Sequence, residues 1–522
     1  MRTKWVLSKR WMVIGALATL FVSVTVLALP GTAAAQKVAP INIVINQSPW
    51  FGGFRGLVEA YEKQTGNKVS LDVHPFAGTL EKQRSSVREK EGQYDLLLLN
   101  GAFFPEFYAG GFMLPLNELD PSFQLDPQVA TFDDTPWWDP NRKVVNRQTG
   151  KLMSVPVNPN IPLLYYRKDL YDKAGLKVPK TYDELLANAK KLHNPPSTYG
   201  IVQRGGRELT SVTYDFFPYM IGHGGSIFKD EKAGDFTVTV NSPETKKALD
   251  FYLRLAKEAG HPQTGAQNQA EVIQNLLTGK AAQVMLVIAA WAQVDDPTKS
   301  AVVGKIEFAV PPAAPGHKPG PGIGHFLGAI PRNVPKDRQM AALAFLKWFQ
   351  TREAQIIYTK AGSPPVRLDV LNDPELGQKR ELRWMKALAE GLLTARILWT
   401  ITQGAEVSSV LDLRLNQAVT GEMTSTAALN KSAEEIYNIV AEVISQKGTC
   451  GAGHKIGDRV FFDGSSVQGR ICFSALYSML PQVYAMRYGA HFPWLEDQNV
   501  CSHACPDAYN PVVFELRRVK SA

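Results

Sequence analysis

Cysteine is missing from this 522-residue chain until Cys450, so no cysteine stands near the N-terminus to carry a lipid anchor. Long apolar runs are missing beyond Leu29, which excludes a polytopic membrane protein. Runs of five or six basic residues are missing too, and with them the polybasic arms that bind nucleic acid. No short-period repeat is visible, which excludes solenoids and propellers. What remains is ordinary for globular units with real cores: 45% hydrophobic and 20% charged residues, neither collagenous, disordered nor coiled-coil. The length suggests about three such units.

The one long apolar run is at the start. Arg2, Lys4, Lys9 and Arg10 precede an apolar stretch over 11–29, Pro30 and Gly31 break it, and Ala33, Ala34 and Ala35 follow. This is the order of a secretory signal peptide cleaved after Ala35, and it predicts a periplasmic protein. The stretch is nearly long enough to be an uncleaved anchor, but the small-residue site follows it directly. Lys9-Arg10 is a poor twin-arginine match. Without residues 1–35, 53 Lys and Arg face 49 acids, a net charge of +4, so the sequence pI near 9.0 says little about nucleic acid.

From residue 41 short apolar strands alternate with amphipathic helices. The spans 41–45, 69–73 and 96–99 read as strands, the last a solid apolar run suited to burial on both faces. The span 58–65 reads as helix, stopped by Gly66. Thr181 and Glu184 form a capping-box pattern. Ser242 followed by Pro243 marks another helix start, after which Leu249, Tyr252, Leu253, Leu255 and Ala256 keep helical spacing. A third helix carries Met340, Leu343, Ala344, Leu346 and Trp348. Further strands are expected at 163–166, 284–288 and 306–310, and the proline- and glycine-rich span 311–322 reads as a crossing loop. Repeating βα units imply an α/β fold with helices on both sheet faces. A mostly helical region is expected to about Ile444, then a polar linker over 445–448. All four cysteines follow, which marks residues 446–522 as a separate, small α+β module.

Four stretches carry a resemblance: "FRGLVEAYEKQTGNKV" from Phe54, "YDLLLLNGAFFPEFYAGGFMLPL" from Tyr94, "GKLMSVPVNPNIPLLYYRKDLYDKAGLKVPKTYDELL" from Gly150, and "GHFLGAIPRNVPKDRQMAALAFLKWFQT" from Gly324. In order and spacing, residues 41–440 resemble the extracellular solute-binding proteins of ABC sugar and polyol importers. The resemblance implies a two-lobe periplasmic-binding-protein clamshell of the class II type spanning 36–445. The lobes are expected at 36–155 plus 300–350, and at 156–299 plus 351–445. It further implies a cleft that closes on ligand, a monomer without cofactor or catalysis, and an inner-membrane ABC permease as partner.

A sugar offers hydroxyls at its rim and C–H faces above and below, so its site needs aromatic plates and planar hydrogen-bonding groups. At strand ends and loops the chain offers Trp50, Trp138 and Trp291 as plates and Asn100, Asn160, His325 and Arg367 as polar partners. Each has a structural alternative. A tryptophan serves as often in a core, an asparagine at a strand end serves a turn, and Arg367 could pair with Asp369 or Glu353. Two motifs are discounted. Tyr165-Tyr166 resembles the pair of ferric-ion-binding proteins, yet adjacent strand residues point to opposite faces. Gly320, Gly322, Gly324 and Gly328 lack the spacing of a dinucleotide loop.

The tail carries "CGAGHKIGD" from Cys450, "ICFSALYSMLP" from Ile471 and "CPDAYNPVVFEL" from Cys505, and resembles a small uncharacterised bacterial domain family. Cys450, His454, Cys472 and Cys505, with Cys501 and His503 nearby, could hold zinc, although the spacings only approach finger patterns. An oxidising compartment favours disulfides instead, and a lowered thiol pKa would allow redox chemistry. These alternatives stay open at the level of sequence.

Overall fold

A computed structural model describes residues 38–231, 235–436, 439–462, 467–487, 490, 492–498 and 500–518. The expected signal peptide lies outside the described residues.

Two sheets organise the region 38–436. The first has five strands in the order Val69–His74, Ile41–Asn46, Leu96–Asn100, Phe326–Ala329, Ser154–Asn158. The first three run parallel, as their βα connections require. Phe326–Ala329 enters between Leu96–Asn100 and Ser154–Asn158, antiparallel to both. Leu96 to Leu99 are buried without alternation because helices cover both faces. The second sheet has Pro162–Arg167 at its centre, antiparallel to Gln283–Val287 on one side and Ile306–Ala309 on the other. This lobe is therefore antiparallel where the βα reading suggested parallel strands. Helices Lys168–Ala174, Gln269–Leu277 and Met385–Leu392 pack on this sheet, and Tyr182–Leu192, Val212–Gly222, Pro243–Ala259, Gly404–Val419 and Ser425–Glu435 pack on one another in the same lobe. Both expected starts are present: Thr181 closes a capping box with Glu184, and the Ser242 hydroxyl accepts from the N–H of Thr245 ahead of Pro243.

The chain crosses between the sheets after Asn158, again between Ala309 and Phe326, and a third time beyond Leu371. These crossings move the lobe limits. Ile306–Ala309 belongs to the second sheet, although 300–350 was expected in the first lobe. Helix Arg352–Lys360 packs on Phe51–Thr65 in the first lobe, although 351–445 was expected in the second. Hydrophobic periodicity identifies the elements but not which of two sheets each joins. One hydrophobic core runs from Ile41 to Ile436.

A separate core holds the tail. Its sheet is antiparallel, in the order Val467–Gln468, Arg459–Phe462, Ile439–Gln446, Val512–Arg518, Val500–Ala504, and helix Phe473–Arg487 lies on it. The expectation of helix to Ile444 and linker to Gly448 is corrected here. Ile439–Gln446 is the central strand, because Val440, Val443 and Ile444 suit a pleated surface and both edges find partners. No helix among the described residues is long and apolar enough to cross a membrane.

Candidate functional site

A cleft of about 1030 Å³ opens where the strand ends of the two lobes face each other. That is the upper end of small-molecule site volumes. The first lobe contributes the turn after its first strand: Asn46, Ser48, Trp50 and Phe51, with Asn100 and Phe326. Trp50 precedes helix Phe51–Thr65 and is wedged by rings on two sides, Phe326 at 4.9 Å and Phe54 edge-on at 5.5 Å. Its carbonyl accepts a 2.9 Å bond from the Ser363 hydroxyl. Ser363 comes so close that a Cβ on Gly53 would meet its Oγ at 2.3 Å, which is why position 53 is a glycine.

The second-lobe wall is built on the N-terminal part of helix Val212–Gly222 and the loop before it. Arg204 is buried there, its guanidinium 5.5 Å over the Tyr214 ring, with Nη2 donating to Gln269 Oε1 at 2.9 Å. Asp215 lies beneath it, its Oδ1 3.9 Å from Arg204 Nε, while its Oδ2 accepts from the Arg204 N–H and the Tyr252 hydroxyl. Burial pushes the Asp215 carboxyl up to about 6, against the pull of Arg204. The Tyr214 hydroxyl reaches the carbonyls of Asn160 and Gly322, at 3.1 and 3.0 Å, which lie on two different crossings. The crossings also bond to one another: Gly324 N–H to Asn160 O at 2.7 Å, and Ile323 N–H to Arg396 O at 2.8 Å. The second-lobe wall is thus fastened directly to the crossings about which the lobes would turn.

Five buried side-chain atoms on residues lining this cleft have no hydrogen-bond partner: Asn46 Oδ1, Ser48 Oγ, Trp50 Nε1, Arg204 Nε and Ser211 Oγ. Buried polar atoms are rarely left in this state. Here they are concentrated on both walls of one cleft.

Of the seven residues singled out in the sequence, Trp50, Asn100 and Asn160 line the cleft. The two asparagines are partly committed to the backbone. Asn100 Oδ1 accepts from the Ala102 N–H, and Asn160 Oδ1 from the Ala289 N–H. The other four are elsewhere. Trp138 is buried within the first lobe, edge-on to Tyr108 at 6.0 Å. Trp291 stacks at 5.0 Å on Trp384, and only its neighbours Ala292 and Gln293 reach the cleft. His325 is fully buried near Phe104 and Phe132. Its Nδ1 faces the Ile323 carbonyl, an acceptor only, so Nε2 accepts from the Thr135 hydroxyl. Burial lowers its pKa to about 4 and keeps it neutral. Arg367 is locked to Asp369 and Asp126. The sequence reading missed Arg204. A single arginine after the apolar pair Ile201-Val202 and before Gly205-Gly206 was the available signal.

Tyr165 and Tyr166 face opposite ways, Tyr165 against Phe308 and Tyr166 against Tyr171, so no ferric pair forms. A smaller cavity of about 490 Å³ is lined from the first lobe alone, where Lys151 is paired with Glu118 at 3.0 Å.

The expected zinc set is not gathered. Among the described residues no three His, Cys, Asp or Glu side chains are placed to hold a metal. His454 Nε2 accepts from the Cys472 N–H, Cys472 Sγ from the Ala475 N–H, and Cys505 Sγ from the Val512 N–H. The sulfurs of Cys472 and Cys505 serve as local backbone acceptors, and Cys450, Cys472, Cys501 and Cys505 are all free thiols.

Comparison with known proteins bears on the lobes. The chain is 26% identical over 272 residues to the mannitol-binding protein of Pseudomonas aeruginosa, covering 51% of this chain and 58% of that protein, under two thirds of its length. It is 24% identical over 353 residues to a probable amino-acid ABC transporter periplasmic-binding protein of Sinorhizobium fredii, covering 67% of this chain and 76% of that one. The crystal structure of an ABC transporter solute-binding protein from Agrobacterium radiobacter K84 in complex with ribitol superposes with a TM-score of 0.67 at 23% identity, over 76% of this chain and 98% of that one. That likeness establishes the two-lobe fold. The family model for bacterial extracellular solute-binding proteins matches residues 46–356, more than half of the chain, and the chain belongs to that family.

Proposed function

We propose that the protein captures a neutral polyol or sugar in the interlobe cleft and delivers it to an ABC permease in the inner membrane. It would act in the periplasm after removal of residues 1–35, as a binding protein without catalysis or cofactor. The observation that carries the reading is the set of unpaired polar atoms on both cleft walls beside the Trp50 and Phe51 rings. A chain of hydroxyls, each both donor and acceptor, satisfies such a set, and closure would strengthen each bond by excluding water. The charges of the cleft are largely paired, Asp296 with Lys299 at 2.9 Å and Arg204 with Asp215 below it, which suits an uncharged ligand. The polyols named for two of the similar proteins support the same class.

The test is a thermal-shift screen of residues 36–522 against sugars, polyols, sugar phosphates and amino acids. A ligand at 100-fold its Kd adds about 2.7 kcal/mol of stability, a plain shift in Tm. A polyol or sugar hit supports the reading. A response to amino acids alone, or to none of the panel by a folded protein, overturns it.

A further inference from the structure

The tail gathers three polar side chains that the cleft does not use. Helix Phe473–Arg487 lies over the tail sheet, and Val500–Ala504 is the strand at that sheet's edge. Cys501 and His503 stand two residues apart on the strand, so both point to the helix side. Cys501 is buried there, its Sγ 3.3 Å from Met486 Sδ. His503 reaches the flank of the same helix nearer its start and bridges two of its residues. Its Nδ1 is 2.6 Å from Gln482 Oε1, and its Nε2 is 2.9 Å from Ser478 Oγ. Those helix residues are four apart, hence neighbours on successive turns. Gln482 Oε1 only accepts, so Nδ1 carries the ring proton and Nε2 accepts from the Ser478 hydroxyl. The other acceptor within reach of that hydroxyl is the Ala475 carbonyl, at 3.1 Å. Burial holds His503 below the ordinary histidine value, which leaves the ring neutral and able to take a proton near pH 7. Ser478, Gln482 and His503 are all half-buried, so solvent reaches the group at the sheet edge.

A hydroxyl bonded to one ring nitrogen, with the other nitrogen fixed by a third side chain, is the arrangement of an activated nucleophile. We propose that Ser478, His503 and Gln482 form a hydrolytic site for carboxylic esters. Ser478 Oγ attacks the ester carbonyl carbon as its proton passes to His503 Nε2. The tetrahedral intermediate collapses with cleavage of the C–O bond to the alcohol, which leaves with that proton. Water then attacks the acyl group on Ser478 and gives a proton to the same nitrogen. The bond from Ser478 Oγ to the acyl carbon breaks, and the proton returns to Ser478. The products are the acid and the alcohol, and nothing is oxidised or reduced. The edge strand offers donors for the oxyanion. The Cys505 N–H is spent on the Val512 carbonyl. Ladder alternation therefore turns the N–H groups of Ser502 and Ala504, on either side of His503, away from the partner strand and toward the edge.

The leaving group follows from Gln482. A neutral amide orients the ring but does not hold the imidazolium charge as a carboxylate does, so the site suits a good leaving group such as a phenol rather than an amine. The inference does not rest on the ligand reading of the lobes. It sets aside, for the tail alone, the absence of catalysis that the family resemblance implies.

The test is labelling of residues 36–522 with a fluorophosphonate, which phosphonylates an activated serine, together with hydrolysis of p-nitrophenyl acetate by the same protein. The expected result is a phosphonyl group placed at Ser478 by peptide mass spectrometry. Ser478→Ala and His503→Gln, each checked for an unchanged Tm, should lose the label and all but ~1% of the hydrolysis. Gln482→Glu should raise turnover by ~10-fold or more, because a carboxylate stabilises the imidazolium, a gain that a merely structural glutamine would not give. A folded wild type that takes no label at Ser478 overturns the inference, whatever the variants do. Hydrolysis unchanged in Ser478→Ala or in His503→Gln overturns it too, and leaves the two bonds as a pin between helix and edge strand. A Gln482→Glu variant no faster than wild type overturns the role given to Gln482.

Discussion

Replacing Arg367 by alanine separates a ligand contact from a structural brace. Arg367 was a reasonable polar partner for a sugar, yet its side chain is 7% exposed and fully committed within the first lobe. Nε and Nη2 grip Asp369 at 2.8 Å each, and Nη1 donates to the Asp126 carboxylate at 2.5 Å and to the Gln350 carbonyl at 2.8 Å. The guanidinium therefore ties the 126–129 loop to the end of helix Lys336–Phe349 and the start of Leu368–Leu371. Breaking a fully buried pair costs about 3–5 kcal/mol. Asp126 and Asp369 keep about a third of their side-chain surface in water, which rescues part of that loss, so about 2 kcal/mol is expected. For a lobe of this size that lowers Tm by about 4–8 °C. Arg367→Lys should fall between, because an ammonium keeps the charge and loses the two-pronged grip. No atom of Arg367 lines the cleft, so Kd for the polyol returned by the screen should stay within about twofold when measured by calorimetry well below Tm. A tenfold loss of affinity with unchanged Tm would refute the reasoning and restore Arg367 to the site.

Two buried groups should show opposite pH behaviour. Burial raises the Asp412 carboxyl to about 6, so between its ordinary value and 6 the folded chain holds a proton that the unfolded chain has released, and stability grows as pH falls. His325 is held near 4, so the unfolded chain gains a proton that the folded one refuses, and stability is lost as pH falls through the ordinary histidine range. Measured by urea unfolding between pH 7.5 and 5, the wild type should therefore gain on Asp412→Asn and lose to His325→Gln, by about 1–2 kcal/mol each; trends of the same sign would disprove the assignment. Gly324→Ala would set a Cβ 2.9 Å from the Tyr214 ring and force that ring off the Asn160 and Gly322 carbonyls. It should weaken ligand binding at least several-fold and cost about 1–3 kcal/mol, and unchanged binding would detach Tyr214 from closure. Treating the purified chain with EDTA should leave the tail transition in calorimetry where it was, and a fall of several degrees would restore metal to Cys450, His454, Cys472 and Cys505.

Much of the fold was legible because local signals agreed with one another. The solid apolar run Leu96–Leu99 could only be a strand covered on both sides. Thr181 with Glu184, and Ser242 before Pro243, announced helices that begin where those residues say. Errors arose where pairing is decided at long range. Ile306–Ala309 and Phe326–Ala329 are both short, apolar and close in sequence, yet they join different sheets. Nothing within either strand encodes that, because the choice is made by the crossing between them. Ile439–Gln446 failed for a related reason. The residues before it are helical, and its strand character depends on partners about 20 and 70 residues further on.

The site was harder to read than the fold because the same side chain serves a core and a cleft by the same physics. Trp50 and Trp138 are each about 1% exposed, each packs against a neighbouring ring, and each has a buried Nε1 without a hydrogen-bond partner. Composition cannot tell them apart. What separates them is the second lobe: Trp50 stands where a wall from beyond the crossings faces it, and Trp138 is enclosed by its own lobe. Arg204 was invisible for the complementary reason. Alone in sequence it is one basic residue among 57, and it becomes notable only when Asp215, Gln269 and Tyr214 close around it and leave Nε ion-paired at 3.9 Å but without a hydrogen bond. A sequence displays the residue types a ligand would want. Whether an unpaired atom faces protein or cleft is a property of two lobes together, so the informative substitutions are those, like Gly324→Ala, that act on the crossings joining them.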